Sequence, residues 1–493
     1  MYKDMKISGK KITMVILAAS IIFLNITLTA CKKSSDKPSA IPADITTGPV
    51  EEDEEERLYP GLEPKDFDYE FTILEVETPG FNKDIFAESI EGEPVNDAVY
   101  ARNNKIKAKY NITIKRILDK RPEMLNRVHH AYFTGDDIYD AIIAKVDYEV
   151  RTMSLDGSLG NLYIVPNLDL TRPWWNQVTE RDLSMGNKLF VVQGDLLTTD
   201  KDSAHVILFD KTLMEKSGMG IDPYEMVKRG EWTFGKLLEM TKSVSQDLNG
   251  DGKMNASDDL FGLALQDDTA FSFLVSGGEK ICDKDRNDYP IITFGSERCY
   301  KIMEMVSELM LDTHHVTNYH REQFDKINMI QSHRCLFMAT RLFLVSSLRG
   351  VDTDFGILPV PKLDKAQENY ITSMNVYLAT GVCVPSVASD LERTGMILED
   401  LCAESRYTLQ PAYYDINLYG KFIRDEESRE MLEIILSNPT IDIGNAYDFG
   451  QFSSTILTFG RSQQTTYAST FEKLEDKMKK DIDDMIAAYE KLS

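Results

Sequence analysis

The stretch Phe71-Thr72-Ile73-Leu74-Glu75-Val76 predicts a β-strand, because it is rich in apolar and β-branched residues. The residues that follow predict a helix over 96–110 and a second strand over Ile112-Thr113-Ile114-Lys115-Arg116-Ile117. A strand, a helix and a strand in this order predict parallel pairing, with helices covering the faces of the sheet. The fold class is therefore α/β.

The same alternation continues along the rest of the chain. Further strands are predicted at 141–144, 204–210, 261–265, 335–338, 355–358 and 382–385, and a helix over 471–492 closes the chain. More than 400 of the 493 residues follow this pattern, which is too long for one ordinary sheet. Two α/β lobes are therefore predicted.

Composition narrows the classes of protein and partner. The chain has 55 lysine and arginine residues against 80 aspartate and glutamate residues, which gives a formal net charge of −25. Its 42% of hydrophobic residues suffices for buried cores and excludes collagen, a coiled coil and a polytopic membrane protein. Because so acidic a chain repels phosphate backbones, nucleic acid is not an expected partner.

The N-terminal thirty residues differ from the rest. Four lysines precede an apolar stretch over 12–28, which is typical of an export signal. The stretch ends at Leu28-Thr29-Ala30-Cys31, which resembles the lipobox of bacterial lipoproteins. The resemblance implies that residues 1–30 are a lipoprotein signal peptide and that Cys31 becomes a lipid-anchored N-terminus. The alternatives are an ordinary signal peptide and an uncleaved anchor.

Removing residues 1–30, which contain four lysines and one aspartate, changes the formal charge from −25 to −28. Residues 31–66 then form a segment rich in Ser, Pro, Thr and acidic residues, including an unbroken acidic run over 51–56. A segment with so few large apolar residues cannot bury enough surface to fold. We predict a flexible acidic linker between the lipid and the globular part; a metal-binding acidic tail is the alternative.

The remaining five cysteines are Cys282, Cys299, Cys335, Cys383 and Cys402, and they follow no ligand spacing typical of zinc. Each lies in or beside an apolar stretch, so buried free thiols are expected. Cys282 and Cys299 flank a predicted hairpin, and a disulfide between them stays open.

A calcium loop is the most specific local motif. Counting Asp247 as position 1, the candidate oxygen ligands at positions 1, 3, 5, 7, 9 and 12 are Asp247, Asn249, Asp251, Lys253 through its carbonyl, Asn255 and Asp258. Gly252 at position 6 permits the sharp turn of an EF-hand loop. The sequence predicts a structural Ca²⁺ ion; an Asx-rich turn without metal is the alternative.

Catalytic motifs are not found in the sequence. It has no Walker A loop, no GxGxxG after a strand, no HExxH and no GxSxG elbow. We therefore predict that the protein is not an enzyme.

Several longer motifs resemble the family 1 extracellular solute-binding lipoproteins of ABC importers in Gram-positive anaerobes. They occur in the family's order at Gly92–Asn104, Lys109–Ile114, Asp169-Leu-Thr-Arg-Pro-Trp-Trp175, Glu231-Trp-Thr233, Asp259-Leu-Phe-Gly262, Phe355-Gly-Ile-Leu-Pro-Val-Pro-Lys362 and Tyr413-Tyr-Asp-Ile-Asn-Leu-Tyr-Gly-Lys421. The likeness spans residues 67–493. It implies a two-lobed type II periplasmic-binding fold, in which hinge strands let the lobes close on a ligand.

The order of the elements then predicts the lobe boundaries. Lobe 1 is expected at 67–193 with 371–405, and lobe 2 at 194–370 with 406–493. The hinge strands are expected near 190–195 and 362–373.

Ligands of such folds bind at the carboxyl ends of the strands, where sugars need hydrogen-bonding groups and an aromatic face. The predicted ligand-binding residues are Phe81, Asp147, Tyr148, Gln193, Asp195, Phe271, Thr340 and Arg341. Trp174, Trp175 and Trp232 lie in motifs of the family scaffold, and packing is the favoured interpretation of all three.

The resulting hypothesis is an extracytoplasmic, lipid-anchored protein that captures a sugar or oligosaccharide and delivers it to a membrane ABC permease. The alternatives are a surface glycan-active enzyme and a ligand sensor that uses the same fold without transport.

Overall fold

A computed structural model describes residue 59 and residues 61–348, 352–414, 425–462 and 466–492, without the side chains of 459–462. The predicted signal peptide, Cys31 and most of the predicted linker lie outside the described residues.

The strands are β1 (Tyr69–Val76), β2 (Ile112–Asp119), β3 (Ala141–Lys145), β4 (His205–Asp210), β5 (Phe261–Leu265), β6 (Cys282–Lys284), β7 (Pro290–Ile292), β8 (Val316–Asn318), β9 (Cys335–Arg341), β10 (Phe355–Pro359), β11 (Thr372–Ser373), β12 (Thr380–Cys383) and β13 (Pro439–Thr440). The helices are α1 (Pro94–Tyr110), α2 (Arg121–Thr134), α3 (Tyr148–Leu155), α4 (Gln177–Leu183), α5 (Thr199–Asp202), α6 (Lys211–Lys216), α7 (Pro223–Lys228), α8 (Phe234–Val244), α9 (Thr269–Ser276), α10 (Glu297–Leu311), α11 (Tyr319–Glu322), α12 (Lys326–Gln331), α13 (Phe343–Ser347), α14 (Leu391–Tyr407), α15 (Leu409–Pro411), α16 (Glu426–Ser437), α17 (Ile443–Tyr447), α18 (Phe452–Ser462) and α19 (Tyr467–Tyr489). Within the described ranges, every helix is too short or too polar to cross a membrane.

Lobe 1 is built on a four-stranded sheet in the order β12-β3-β1-β2. Strand β1 pairs in parallel with both β2 and β3, as the strand, helix and strand order predicts. Every residue of β1 from Phe71 to Val76 is buried, because helices pack on both faces of the sheet.

Lobe 2 is built on a five-stranded sheet in the order β10-β4-β9-β5-β8. Strands β9, β5 and β8 run in parallel, whereas β4 runs antiparallel to both of its neighbours. The fully buried strands β5 and β10 read as unbroken apolar stretches rather than alternating ones.

Two segments connect the sheets by crossing from one lobe to the other. The outgoing segment bridges to the returning one where Ala204 pairs with Met374, and to β12, into which the returning segment leads, where Val192 pairs with Val382. The bridge at Ala204 joins the two segments directly. The bridge at Val192 lies within the hinge region predicted near 190–195, while the returning segment follows the range predicted at 362–373. The strands of each sheet come from the ranges predicted for its lobe, and the exact lobe boundaries stay predictions.

The expectation of parallel pairing throughout is wrong for β4 and β12. Strand β12 pairs antiparallel with β3, and β4 pairs antiparallel with β9 and β10. Each of these strands follows a crossing segment, so the chain enters the sheet at the hinge end. By contrast, a strand that follows a helix packed on its own sheet runs in the opposite direction and ends at the hinge end of the sheet.

The folded part begins before Phe67. Tyr59 packs on Trp174 with a ring-centroid distance of 4.6 Å, and its hydroxyl donates to Asp400 at 3.0 Å. The backbone amide of Leu62 donates to the same carboxylate at 3.2 Å. The last residues of the predicted linker therefore contact lobe 1 and do not belong to a free tether.

The cysteines are as expected from their apolar surroundings. Cys282, Cys299, Cys335, Cys383 and Cys402 are all buried free thiols. Burial raises the pKa of Cys299 to about 12, so it is protonated at neutral pH. Cys282 and Cys299 are therefore two separate thiols in this structure and do not form a disulfide.

Candidate functional site

The carboxyl ends of the strands of both sheets meet the two crossing segments. In lobe 1, Lys145 at the end of β3 lies opposite Thr380, with which β12 starts after the return crossing. In lobe 2, Arg341 at the end of β9 lies opposite His205, with which β4 starts after the outgoing crossing. The loops that follow β1, β3, β5, β8 and β9 therefore line a cleft between the lobes, where ligands of open α/β sheets bind.

The lobe 2 wall of the cleft is organised around Asp268, just after β5. Its Oδ2 accepts from Arg341 Nη1 at 2.5 Å and from Asn375 Nδ2 at 2.7 Å. Arg341 Nη2 also donates to Gln266 Oε1 at 3.2 Å. Because Asn375 belongs to the return crossing, these bonds fix the strand-end groups to the hinge.

A second carboxylate of this wall, Asp267, is held by the neighbouring strand. Its Oδ1 accepts from Asn318 Nδ2 at 3.0 Å, and His320 Nδ1 lies 3.1 Å from its Oδ2. His205, by contrast, is buried beneath the wall, and burial lowers its pKa to about 4. The imidazole of His205 is therefore neutral at physiological pH.

The lobe 1 wall contains a charged group around Arg121. Its Nη2 lies 2.9 Å from Asp147 Oδ2, and its Nε donates to Glu149 Oε1 at 2.7 Å. Although burial lowers the pKa of Arg121, these two carboxylates raise it above its usual range. Asp147 is also the N-cap of α3, so this network positions the exposed ring of Tyr148 at the start of the helix.

Two aromatic rings touch across the cleft. Phe81, in the loop after β1, meets Phe343, the first residue of α13 just after β9, edge-on at a centroid distance of 5.3 Å. Beside Phe81 lies a cavity of about 170 Å³ that both lobes line, with Lys83 from lobe 1 and Ser346 from lobe 2. The cleft thus offers ring faces next to polar groups.

Tyr377 stands between the two walls. Burial, followed by the charges of Asp448, Asp268 and Asp147, raises the pKa of its hydroxyl. The phenol donates to Asn445 Oδ1 at 3.1 Å. Since Asp147 belongs to lobe 1 and Asp268 to lobe 2, the ring of Tyr377 marks the place where the walls converge.

The predicted ligand residues fall into two groups. Phe81, Asp147, Tyr148 and Arg341 all lie along the cleft. Gln193, Asp195, Phe271 and Thr340 are buried, at 0%, 9%, 3% and 3% exposure, and have little or no surface to offer a ligand in this structure.

Two of the buried members, Gln193 and Asp195, are held by structural partners. Gln193 bridges the outgoing crossing to the rest of lobe 1, because its amide accepts from Thr179 at 3.0 Å and donates to the Thr380 carbonyl at 3.0 Å. Asp195 is held in ion pairs with Lys201 at 3.3 Å and with Arg406 at 3.1 Å.

The tryptophans pack in the cores, as favoured from the sequence. Trp174 and Trp175 donate their indole N–H groups to Glu399 at 3.1 and 2.8 Å. Trp232 donates to the Pro359 carbonyl at 2.8 Å and is fully buried.

The ligand-binding residues predicted from the sequence do not include several residues of the cleft, among them Arg121, Asp268, Phe343, Asn375 and Tyr377. Asp268 and Phe343 lie within three residues of a strand end, nearer than the predicted Phe81 and Phe271, and their residue types alone do not distinguish them from their neighbours. Arg121 begins α2, directly after β2, and the sequence predicts no ligand-binding residue after that strand. Asn375 and Tyr377 lie in the return crossing, and no local pattern in the sequence distinguishes them.

The residues of the predicted calcium loop lie at the surface between α8 and β5. Asp247 accepts from the backbone amides of Gly250 and Gly252 at 2.7 and 2.8 Å, and these bonds help to lower its pKa. Among the described residues, no group of three or more His, Cys, Asp or Glu side chains converges as a metal site. The oxygen donors suit Ca²⁺ chemically, and calcium binding stays a prediction.

If calcium binds only the folded loop, it is expected to raise both the melting temperature and the free energy of unfolding. The free energy should rise by about 2–3 kcal/mol at a Ca²⁺ concentration a hundred times Kd. Asp251→Ala should abolish this gain, and Asp285→Ala, in another Asx turn, should keep it. Scanning calorimetry in Ca²⁺ and in chelator measures the difference. Equal melting in both conditions would refute a calcium site.

Comparison with known proteins supports the fold. No known family model matches the chain, and a search of curated proteins found no match. MalE, the sugar-binding protein of the phytopathogen Xanthomonas citri, aligns with a TM-score of 0.59 and 9% identity, over 86% of this chain and 100% of that one. The chain has the same two-lobed fold. The predicted two-lobed type II architecture is thus confirmed.

Two further solved structures agree. A cyclo/maltodextrin-binding protein complexed with maltotetraose aligns with a TM-score of 0.55 and 11% identity, over 84% of this chain and 97% of that one. An ABC substrate-binding protein from Listeria monocytogenes in complex with cycloalternan gives 0.53 and 14%, over 85% and 98%. At such identities the likeness concerns the fold.

Proposed function

We propose that this protein is an extracytoplasmic solute-binding protein that captures a sugar or oligosaccharide between its lobes and delivers it to an ABC permease. The proposal rests on the side chains that line the cleft. Strand-end loops of two separate sheets, joined by paired crossing segments, present aromatic rings beside carboxylate, amide and guanidinium groups. Sugar recognition needs this combination of ring faces and hydrogen-bonding groups.

The compared structures support the sugar rather than another solute. One of the three compared proteins is described as sugar-binding and another as cyclo/maltodextrin-binding. The third was solved in complex with cycloalternan. Each is a binding protein, which favours capture and release over turnover. The proposal therefore has the ligand leave chemically unchanged.

Isothermal titration calorimetry with a panel of mono- and oligosaccharides tests this proposal. We expect binding heat for at least one sugar, and no products in the recovered ligand. Tyr148→Ala is expected to weaken that binding by about 1–3 kcal/mol if the exposed ring stacks on the sugar. Heat with peptides or nucleosides but with no sugar would contradict the sugar, and turnover of the ligand would contradict transport.

Phe133→Ala is the matched control for Tyr148→Ala. Phe133 is an even more exposed ring, at 76% against 55%. It lies near the far end of α2 from Arg121, at a distance of about 18 Å along the helix. Its removal is expected to leave sugar affinity unchanged, because it takes away a ring outside the cleft.

Membrane attachment through Cys31 is part of the proposal and rests on the lipobox-like sequence alone. Cys31→Ala is expected to release the protein from the membrane or to leave it unprocessed, because a thioether-linked lipid needs the sulfur. Mass spectrometry of the membrane and soluble fractions measures this. An acylated Cys31→Ala protein would refute the assignment.

A further inference from the structure

The cavity beside Phe81 is enclosed by lobe 1, by the outgoing crossing and by lobe 2. The residues that face it include Asp84 after β1, Thr198 and Asp202 of the crossing, Tyr413 after α15 and Ser346 of α13. Its volume of about 170 Å³ is smaller than the roughly 300–1,000 Å³ of a complete ligand pocket. The cavity therefore suits one end of a longer ligand.

Asp202 is the residue of this cavity with a free acceptor. It is the last residue of α5 and is 6% exposed. Its Oδ1 accepts from the hydroxyl of Tyr413. Its Oδ2 accepts no hydrogen bond from the described residues and is not fully enclosed, so it faces open space. Because a buried carboxylate oxygen without a donor is costly, a ligand that brings a donor to Oδ2 gains free energy.

The neighbouring polar groups are already bonded. Asp84 accepts from the amide of Thr198 at 2.7 Å and from its hydroxyl at 3.1 Å. Ser346 donates its hydroxyl to a backbone carbonyl at 2.7 Å, and the hydroxyl of Tyr413 is likewise used as a donor. Both hydroxyl oxygens can still accept. The cavity thus offers acceptors to a ligand that brings donors.

The charges around the cavity favour neutral donors. Of the described residues that line it, Asp84, Glu93 and Asp202 are acidic and Lys83 is basic. Glu93 caps α1, where its Oε2 accepts from the amide of Asn96 at 2.8 Å. The carboxylates oppose an anionic ligand group, and the ammonium of Lys83 opposes a cationic one. Sugar hydroxyls are donors that meet neither penalty.

We propose that this cavity is the subsite for a terminal unit of the sugar, and that a hydroxyl of that unit donates to Asp202 Oδ2. The inference rests on the proposed function and identifies the end of the ligand that determines specificity. The ring of Phe81 lines the same cavity and can cover an apolar face of the unit. Ser346 adds an acceptor from lobe 2, so both lobes contact the unit.

Calorimetry with end-blocked trisaccharides tests the inference. The probes are maltotriose, cellotriose and xylotriose, each compared with two derivatives in which the hydroxyls of one terminal unit or of the other are O-methylated. Burial raises the pKa of Asp202 to about 7, so the full folded chain is titrated at pH 8, where this carboxylate is ionised. For at least one trisaccharide, methylation at one end should weaken binding by about 10- to 100-fold, the range of one hydrogen bond to a charged group. Methylation at the other end should change binding by a few-fold at most.

Asp202→Asn should weaken binding of the unmodified trisaccharide by a similar factor. It should change binding of the derivative methylated at the sensitive end by a few-fold at most, and this coupling distinguishes a direct contact from a general loss of structure. Asp200→Asn is the matched control, because it removes a buried carboxylate of the same helix that does not line the cavity. This control should keep the discrimination between the two ends.

Ser346→Phe is an independent variant that fills the cavity from an exposed position of lobe 2. It should weaken binding of the unmodified trisaccharide by about 10-fold or more, because the added ring occupies the space of the sugar unit. Ser347→Phe, at the next exposed position of α13, does not line the cavity and should change binding by a few-fold at most. Melting curves verify that each variant is folded, and Ser346→Phe alone decides if Asp202→Asn does not fold.

The outcomes separate this inference from the proposed function. Equal sensitivity to methylation at both ends, discrimination that survives Asp202→Asn, or full affinity in Ser346→Phe overturns the subsite but leaves sugar capture standing. Absence of heat for all three trisaccharides also overturns the subsite. Absence of heat for the whole sugar panel overturns the proposed function as well.

Discussion

Replacing Glu399 by leucine is expected to lower the free energy of unfolding by about 3–5 kcal/mol, because one buried carboxylate satisfies three donors. Its oxygens accept from the indoles of Trp174 and Trp175 and, at 3.1 Å, from the backbone amide of Asp169. Burial raises the pKa of Glu399 to about 7, but a neutral carboxyl still offers acceptors. Leucine leaves the two buried indole N–H groups and the part-buried amide of Asp169 without their acceptor.

Urea denaturation followed by tryptophan fluorescence measures this loss. Glu392→Leu, on the same helix, is the control, since that side chain is 57% exposed and forms only a surface ion pair with Lys65. We expect this control to change stability by less than about 1 kcal/mol. Equal midpoints for both variants would show that Glu399 does not hold the tryptophan segment on lobe 1.

Asp200→Asn is expected to stabilise the protein at pH 8 by about 2–4 kcal/mol, since one pKa unit corresponds to about 1.4 kcal/mol. Asp200 lies in α5 of the outgoing crossing, fully enclosed, and its Oδ1 has no hydrogen-bond partner among the described residues. Burial raises its pKa from 3.8 to about 7, although Lys201 lies 3.5 Å away. Lys201 keeps Asp195 and Gln410 as partners in the variant.

The pH dependence of stability follows from the upward shift of the Asp200 pKa on folding. Between about pH 4 and pH 7 the folded protein holds a proton on Asp200 that the unfolded chain has released. The stability due to this proton is complete below pH 4 and is lost as the pH rises through 7. The advantage of asparagine should therefore be large at pH 8 and small at pH 4.5.

Melting temperatures at these two pH values test the expectation. Asp483→Asn, an exposed aspartate on α19, is the control and should not reproduce a gain confined to high pH. The expectation is wrong if Asp200→Asn melts at a lower temperature than the unchanged protein at pH 8, or if its melting temperature changes equally at both pH values. The ion pair with Lys201 would then outweigh the cost of burying the carboxylate.

The fold was largely predictable from local patterns. Phe71–Val76 and the helix after it are recognisable because a buried parallel strand is an unbroken apolar stretch. The direction of β4 and β12 was not predictable from such patterns. The direction of each of these strands depends on whether the preceding segment comes from the same sheet or from the other lobe. The residue types of that segment do not distinguish the two cases.

The cleft residues that were predictable from the sequence lie at the end of a strand or in the residues just after it, as Arg341, Asp147, Tyr148 and Phe81 do. Gln193 and Thr340 resemble ligand residues in type and position, yet the crossing and the strand pairing turn them inward. Asp268 and Asn375 come from positions 107 residues apart and meet through the tertiary fold. No short window of sequence contains such a pair.

Small-angle X-ray scattering on the globular chain, with and without a sugar that gives binding heat, tests the central claim most directly. A ligand held between two lobes must bind the closed form better, so it shifts the population toward closure. We expect a smaller radius of gyration at saturation, and a smaller change for Tyr148→Ala at the same sugar concentration. A sugar that binds with full heat while the scattering curve stays unchanged would contradict capture between the lobes.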